Sequence, residues 1–364
     1  MKIAMMIGSI YGTGGRIRAL SNLSKILSDI GVDMHIICRQ TAAGGTLPYH
    51  FDERVTIHHL NLGKPEKMNL WEKIKFNIKT SVMIRQLVKQ QKFDIVCGLN
   101  ALPNLLMPFY VQSARKVACE HTSYGIAPSI IRLLRRIFYP KLDAVVLLTH
   151  HDAAHYTFIQ EKKRFVIPNS LSFVCDTPSN CENKRIIALG RFSHEKGFDY
   201  LLQTAVKLKR EIPDWHIDIF GAGEEEVMLK ELARKLQVDD FVTFHPPTKE
   251  VIKELCNSGM YVMSSRYEGF GLVLTEAQEC GLPIVSFDCP EGPPEIIHEG
   301  EDGFLVPLAD TDALAEKMIL LAKNEEMRKR FGKAAKVNCQ QFLPQKVGEM
   351  WMDLINKLTV NKGK

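Results

Sequence analysis

The feature that most constrains this chain is an alternation, carried through twice, of short apolar runs with helix-like stretches. In the first half, strand-like runs fall at 2–10, 33–39, 56–60, 93–99, 116–121 and 144–148, with helical patterning at 17–30 and 70–90. In the second half, runs at 185–189, 215–220, 241–244, 260–263, 283–287 and 303–306 alternate with helical stretches at 200–211, 225–236 and from 249 onward. Apolar runs this short, separated by helices, are the pattern of parallel strands buried on both faces, because each crossover lays a helix on the sheet. The expected fold class is therefore α/β, with two Rossmann-like doubly wound domains. A cluster of Ser, Asn, Pro, Thr and Asp at 170–183 marks the boundary, giving domains at 1–170 and 171–344. Open α/β sheets bind ligands at the carboxyl ends of their strands, so both domains are expected to face one cleft.

The most informative segment is Arg266-Tyr267-Glu268-Gly269-Phe270-Gly271-Leu272-Val273-Leu274-Thr275-Glu276-Ala277. It reads as the end of an apolar strand, a glycine-bearing turn and the start of a helix. Gly269 and Gly271 allow close backbone approach and positive φ. The amides of a helix's first turn, here near Leu272 and Val273, lack intrahelical partners and form an anion site. If most of the stretch is helical, eight residues at about 1.5 Å each separate Glu268 and Glu276 by roughly 10–12 Å. Paired hydrolytic carboxylates need about 5–5.5 Å or about 6.5–9.5 Å. Two carboxylates flanking an anion site suit a ligand with both phosphate and sugar hydroxyls. On spacing alone Glu276 could equally be an exposed helix residue.

The segment resembles the glutamate-to-glutamate signature of the retaining glycosyltransferases of family 4, which have the GT-B fold, including enzymes of bacterial polysaccharide biosynthesis. Gly190-Arg191-Phe192-Ser193-His194-Glu195-Lys196-Gly197 is similar to that family's diphosphate loop, and Phe220-Gly221-Ala222-Gly223-Glu224 to its glycine turn. Gly281-Leu282-Pro283-Ile284-Val285 and Asp302-Gly303-Phe304-Leu305-Val306 match two further stretches, in the family's order from about residue 185 to 310. Gly12-Thr13-Gly14-Gly15 and Cys119-Glu120-His121 fit less distinctively.

The resemblance implies transfer of a hexose or N-acetylhexosamine from a nucleotide diphosphate sugar, UDP by family frequency, to a glycan hydroxyl. Glu276 would bind ribose, and Glu268 would orient the donor sugar. Arg191, Lys196 and amides across Gly269, Phe270, Gly271, Leu272 and Val273 would stabilise the diphosphate. Gly14 and Gly15 would approach donor or acceptor, and His121 would meet the donor sugar. Front-face displacement is implied, with the leaving phosphate taking the acceptor's proton. No metal cofactor is implied. The helix at 345–364 would pack back on the first domain. A nucleotide-sugar epimerase on the same fold and a non-catalytic glycan or membrane-binding protein are the rivals; the charged set at Arg191, Lys196, Glu268 and Glu276 favours transfer.

The remaining signals bound the setting. The glycine turn after the first strand has Ile17 where a dinucleotide fingerprint has its third glycine, which argues against NAD. The nine cysteines are odd in number and contain no Cys-x-x-Cys, as expected of reduced structural thiols in the cytoplasm. His151 and His155 read as a surface pair, and Asp310-Thr311-Asp312 as a helix cap rather than a metal triplet. Residues 1–180 hold 23 Lys+Arg against 12 Asp+Glu, so the positive excess of the whole chain belongs to the first half. Residues 64–92 add eight basic against two acidic side chains, and Arg132, Arg135 and Arg136 interleave with Ile130, Ile131, Leu133, Leu134, Ile137 and Phe138. These suggest peripheral contact with the anionic inner face of the cell membrane, where an acceptor linked to undecaprenyl diphosphate would be met in lipopolysaccharide or capsule biosynthesis. Against nucleic acid, no helix-turn-helix, aromatic stacking motif or zinc module is visible.

Overall fold

The computed structural model describes residues 1–12, 14–40, 47–63 and 68–360. Thr13 of the first glycine turn, Lys64, Glu66 and Lys67 of the basic stretch and residues 361–364 of the terminal helix lie outside the described residues. The chain divides into two units: Met1–Ser172 with Pro344–Lys364, and Phe173–Leu343.

The first unit carries a seven-stranded parallel sheet in the order β3-β2-β1-β4-β5-β6-β7. Its strands are β1 (Lys2–Ile7), β2 (Asp33–Gln40), β3 (Thr56–Leu62), β4 (Ile95–Gly98), β5 (Arg115–Cys119), β6 (Ala144–Leu147) and β7 (Arg164–Val166). Alternate residues of a strand point to opposite faces. Ile3, Met5 and Ile7 of β1 accordingly pack under α1 (Gly15–Asp29) and α13 (Pro344–Val360), with Leu20, Leu27, Trp351 and Leu354. Ala4 and Met6 face the other side, beneath α2 (Leu70–Gln91), α3 (Ala101–Tyr110) and α4 (Ser129–Phe138), with Ile84, Val88, Leu105 and Tyr139. A capping box at Asn69 and Glu72 starts α2, and Lys92 at φ 55° ends it. The sequence pattern does not announce α3, because Pro103 and Pro108 interrupt it. Pro103 falls in the first turn, where no intrahelical donor is lost, and Pro108 is followed by only two more helical residues.

The second unit repeats the topology with six parallel strands, β10-β9-β8-β11-β12-β13. These are β8 (Arg185–Leu189), β9 (His216–Phe220), β10 (Val242–His245), β11 (Met260–Met263), β12 (Ile284–Phe287) and β13 (Gly303–Val306). One face packs Ile186, Ala188, Ile217 and Val285 against Leu201, Leu208, Leu229 and Leu314. In both sheets the strand order reverses once, between β1 and β4 and between β8 and β11. The loops leaving strands on either side of that reversal diverge, and their divergence opens a ligand crevice.

Candidate active site

In the second unit the reversal lies between β8 and β11, and the two signature loops leave from these strands. Residues 190–197 follow β8 and residues 264–271 follow β11. Backbone contacts hold the loops together. The Arg266 amide donates to the Glu195 carbonyl at 2.8 Å, and the Ser264 hydroxyl donates to the Lys196 carbonyl at 3.1 Å. Gly197 has φ 60°, and a Cβ there would lie 2.1 Å from the Ser264 carbonyl oxygen, so both conformation and closeness require glycine. Gly221 and Gly223 are required by space instead: a Cβ would come within 1.9 Å of the Gly190 carbonyl oxygen or 2.2 Å of the Phe192 carbonyl oxygen. The glycine turn after β9 thus braces the loop that carries Arg191.

Side chains converge on this braced frame. Lys196 Nζ donates to Glu268 Oε1 at 2.6 Å, and Ser265 Oγ donates to the same oxygen at 2.8 Å. Both bonds fall on Oε1. Glu268 is buried, and its charge, after burial itself, pushes up the thiol of the buried Cys289. Arg191 pairs with Glu195, a hydrogen bond that raises the guanidinium pKa. Its side chain is 60% exposed, so the basic loop is solvated at Arg191 and half-buried against Glu268 at Lys196. Arg266 is committed elsewhere, with both guanidinium nitrogens on Asp199 at 2.8 and 2.7 Å and its plane over Tyr200.

The helix α9 (Leu272–Glu279) begins at Gly271, whose φ of 86° turns the chain from β11 into the helix. Phe270 and Leu272 are buried, Gly269 and Val273 half-buried. Glu276 has no exposed surface, which removes the reading of it as a solvated helix residue. A carboxylate wholly inside a protein needs compensation from donors or charge.

Residues 176–338 match the family described as glycosyl transferases, group 1. The chain is 28% identical, over 98% of its length and 99% of the relative's, to the amylovoran biosynthesis glycosyltransferase AmsD of Erwinia amylovora. It is 26% identical, over 98% of each chain, to a Campylobacter jejuni α-1,4-N-acetyl-D-galactosaminyltransferase whose name specifies a diNAcBac-PP-undecaprenol substrate. Its fold matches a TarM mutant of S. aureus, solved with fondaparinux, α-GlcNAc-glycerol and UDP, at TM-score 0.81 and 16% identity, covering 98% of this chain and 99% of that one. The fold is that of the GT-B glycosyltransferases, and the second unit carries the group 1 match.

The first unit of the transferase holds the other expected site residues. Gly14 precedes α1 at φ −72°, and nothing lies within 4 Å of a Cβ built on it, so neither strain nor packing demands glycine there. Gly15 opens the helix and is exposed. His121, just beyond β5, is half-buried. Burial first, then the charge of Arg16, pushes its pKa down to about 3, so the imidazole is neutral at physiological pH and offers one donor and one acceptor. Beneath it, the buried Glu120 accepts from Asn104 at 3.0 Å, from Tyr139 and from Arg135. The expectation that Arg135 belongs to a lipid-facing surface is therefore corrected: it is 1% exposed and neutralises a buried carboxylate. Its position in α4 directs it inward, while Arg136, one residue on, is exposed.

Some features of the transferase escaped sequence reasoning. Ser265 supports Glu268 through a contact three residues away, a spacing too common to signal anything. Glu291 is 1% exposed with φ 84°, and a Cβ on its neighbour Gly292 would lie 1.9 Å from the Phe270 carbonyl oxygen. A non-glycine residue held at positive φ stores strain of about 1–3 kcal/mol, of the kind that clusters at functional sites. Within this unit, and away from Glu268, Cys175, Cys256 and Cys280 bring their sulfurs within 4.8 Å of one another, close enough to share a metal. Burial pushes Cys256 up to about 11, so a metal would have to displace protons to bind. His151 and His155 are exposed, and Asp310 caps α11 (Thr311–Lys323) by accepting the Ala313 amide at 2.9 Å. Among the described residues, no helix is long and apolar enough to cross a membrane.

Proposed function

We propose that this transferase moves a hexose or N-acetylhexosamine from a UDP-sugar, with retention of configuration, to a hydroxyl of a glycan carried on a polyprenyl diphosphate at the cytoplasmic face of the membrane. The observation that carries the reading is the part-buried Lys196–Glu268 pair between the loops leaving β8 and β11. The relatives' names support the substrate classes: one acts in amylovoran biosynthesis, another on an undecaprenyl diphosphate glycan, and a fold neighbour was solved with UDP.

In this reading Lys196, Arg191 and the first amides of α9, near Phe270, Gly271, Leu272 and Val273, meet the diphosphate. They stabilise charge as it accumulates on the leaving oxygen, and in many enzymes such preorganised electrostatics lower the barrier more than any other effect. Fixed cations do here what a divalent ion does elsewhere, so no metal cofactor is proposed, and activity should survive chelation. Glu268 Oε2 accepts from a donor-sugar hydroxyl, and Glu276 binds the ribose. His121 hydrogen-bonds the donor sugar as a neutral imidazole, and Gly14 and Gly15 leave room for a ligand. The C1–O bond to the phosphate breaks while the acceptor oxygen bonds C1 from the same face, and the acceptor's proton passes to the departing phosphate oxygen.

The test is turnover of a panel of UDP-sugars with a polyprenyl diphosphate glycan, with the product's anomeric configuration read by NMR. An α-linked product from an α-configured donor is expected, and a β-linked one would exclude retention. Donor binding without turnover of any acceptor would favour the non-catalytic rival, and a changed sugar with no transfer would favour the epimerase.

A further inference from the structure

Three neighbouring helices of the first unit, α2, α3 and α4, expose apolar side chains that ordinary burial should have removed from water. On α2, Trp71, Ile74, Ile78 and Val82 are 73%, 41%, 59% and 49% exposed. Their spacing of three and four residues puts them on one stripe, opposite the buried Phe76, Ile84 and Val88. Lys75, Arg85 and Lys89 fall along the same stripe and are exposed. On α4, Ile130, Leu133 and Ile137 repeat the arrangement, flanked by Arg132 and the exposed Arg136. Between them α3 presents Leu102 and Phe109, and α3 packs against both α2 and α4. Scattered exposed apolar residues are normal, but contiguous ones rimmed by a single charge sign mark a binding face.

We infer that the α2–α3–α4 face docks on an anionic lipid bilayer, its apolar stripes entering the interface and its lysines and arginines meeting headgroup phosphates. Charge complementarity selects this occupant. Among the described residues, Lys73, Lys75 and Lys79 form no ion pair, and the single acidic side chain of α2, Glu72, is spent on the helix cap. A second copy of this chain would set cation against cation across the face. A bilayer offers negative charge at its surface and hydrocarbon beneath, in the order the side chains present them. This inference deepens the reading above, on which it rests for the lipid-carried acceptor, by naming the surface that meets the membrane.

Trp71 is a built-in probe, because the other two tryptophans, Trp215 and Trp351, are each 4% exposed. Vesicles of phosphatidylglycerol and phosphatidylcholine should shift the full-length protein's emission to the blue and pull it into the pellet. Vesicles of phosphatidylcholine alone should not. Replacing Lys75, Arg85 and Lys89 by Gln should weaken partition about fivefold per residue, about a hundredfold together. Ile78→Ser with Ile137→Ser should abolish the residual, salt-resistant binding. Donor hydrolysis should be unchanged in both variants, which shows that they fold and separates this test from that of the transfer reaction. Protein that stays in the supernatant with phosphatidylglycerol vesicles at low salt, or that buries Trp71 by forming dimers without lipid, would overturn the assignment.

Discussion

The two units share a strand order and differ in almost everything built on it. The loops around the reversal in the second unit are cross-braced: Gly197 against Ser264, Gly221 against Gly190, Lys196 on Glu268, Arg266 on Asp199. The corresponding turn before α1 in the first unit leaves open space at Gly14. The first unit holds 27 basic and 13 acidic residues, the second 20 and 29. Exposed apolar residues gather on three adjoining helices in the first unit, whereas in the second they are spread over separate elements, as at Val206, Val227, Ile252 and Leu320. One topology thus carries a cross-braced pair of loops in one copy and an apolar, basic helical face in the other.

The comparison can be broken most forcefully at Arg135. Arg135→Met should destabilise the protein by about 3–5 kcal/mol, because Glu120 would be left charged and buried, whereas Arg136→Gln should change stability by less than about 0.5 kcal/mol. Urea unfolding of both variants checks this, and equal midpoints would mean that the two arginines are alike.

The next largest effect is expected in the braced loop. Lys196→Ala should lower the transfer rate by roughly 10²–10³-fold, about 2.7–4 kcal/mol, with a smaller loss for the solvated Arg191→Ala. Steady-state kinetics at saturating donor decide it, and undiminished turnover in both would remove them from the reaction.

Glu276→Gln should weaken UDP binding by about 1.5–3 kcal/mol while leaving turnover at saturation nearly intact. Glu268→Gln should do the reverse, because a ribose contact is shared by ground and transition states. Calorimetry with UDP separates the two, and unchanged affinity in Glu276→Gln rejects the ribose role.

The smallest effect sharpens the first unit's side. The depressed pKa of His121 means that the unfolded chain takes up its proton first as pH falls. Stability attributable to this residue is therefore full above about 6.5 and lost between there and about 3. At pH 5 the loss should be at most about 2 kcal/mol, since His121 is partly open to solvent. His121→Gln should flatten that part of the profile, and denaturant midpoints at pH 7 and 5 for the two proteins measure it.

Much of this molecule was legible in its residues, for reasons of periodicity. Strands buried on both faces must be short and apolar throughout, and helices over them must repeat every three to four residues, so the strands of both sheets could be read from the alternation except β7, a three-residue, half-buried edge strand. The helix α3 could not, because Pro103 and Pro108 contradict local propensity and only packing against β4, β5 and α4 holds them in a helix. The motif at 266–277 was readable as strand, turn and helix because glycine marks positive φ, as Gly271 adopts.

What the sequence alone determined is therefore the local grammar: most strand and helix positions, the glycines at the turns, and the sign and spacing of the charges. The tertiary structure decided which charges are used. Lys196 and Glu268 are 72 residues apart in the chain and 2.6 Å apart in space. Arg135 and Arg136 are neighbours in the chain, yet one neutralises a buried carboxylate and the other meets solvent. A helix turns by about 100° per residue and a crossover joins distant segments at one sheet edge, so neither the inward direction of a side chain nor the partner it finds is a property of its local sequence.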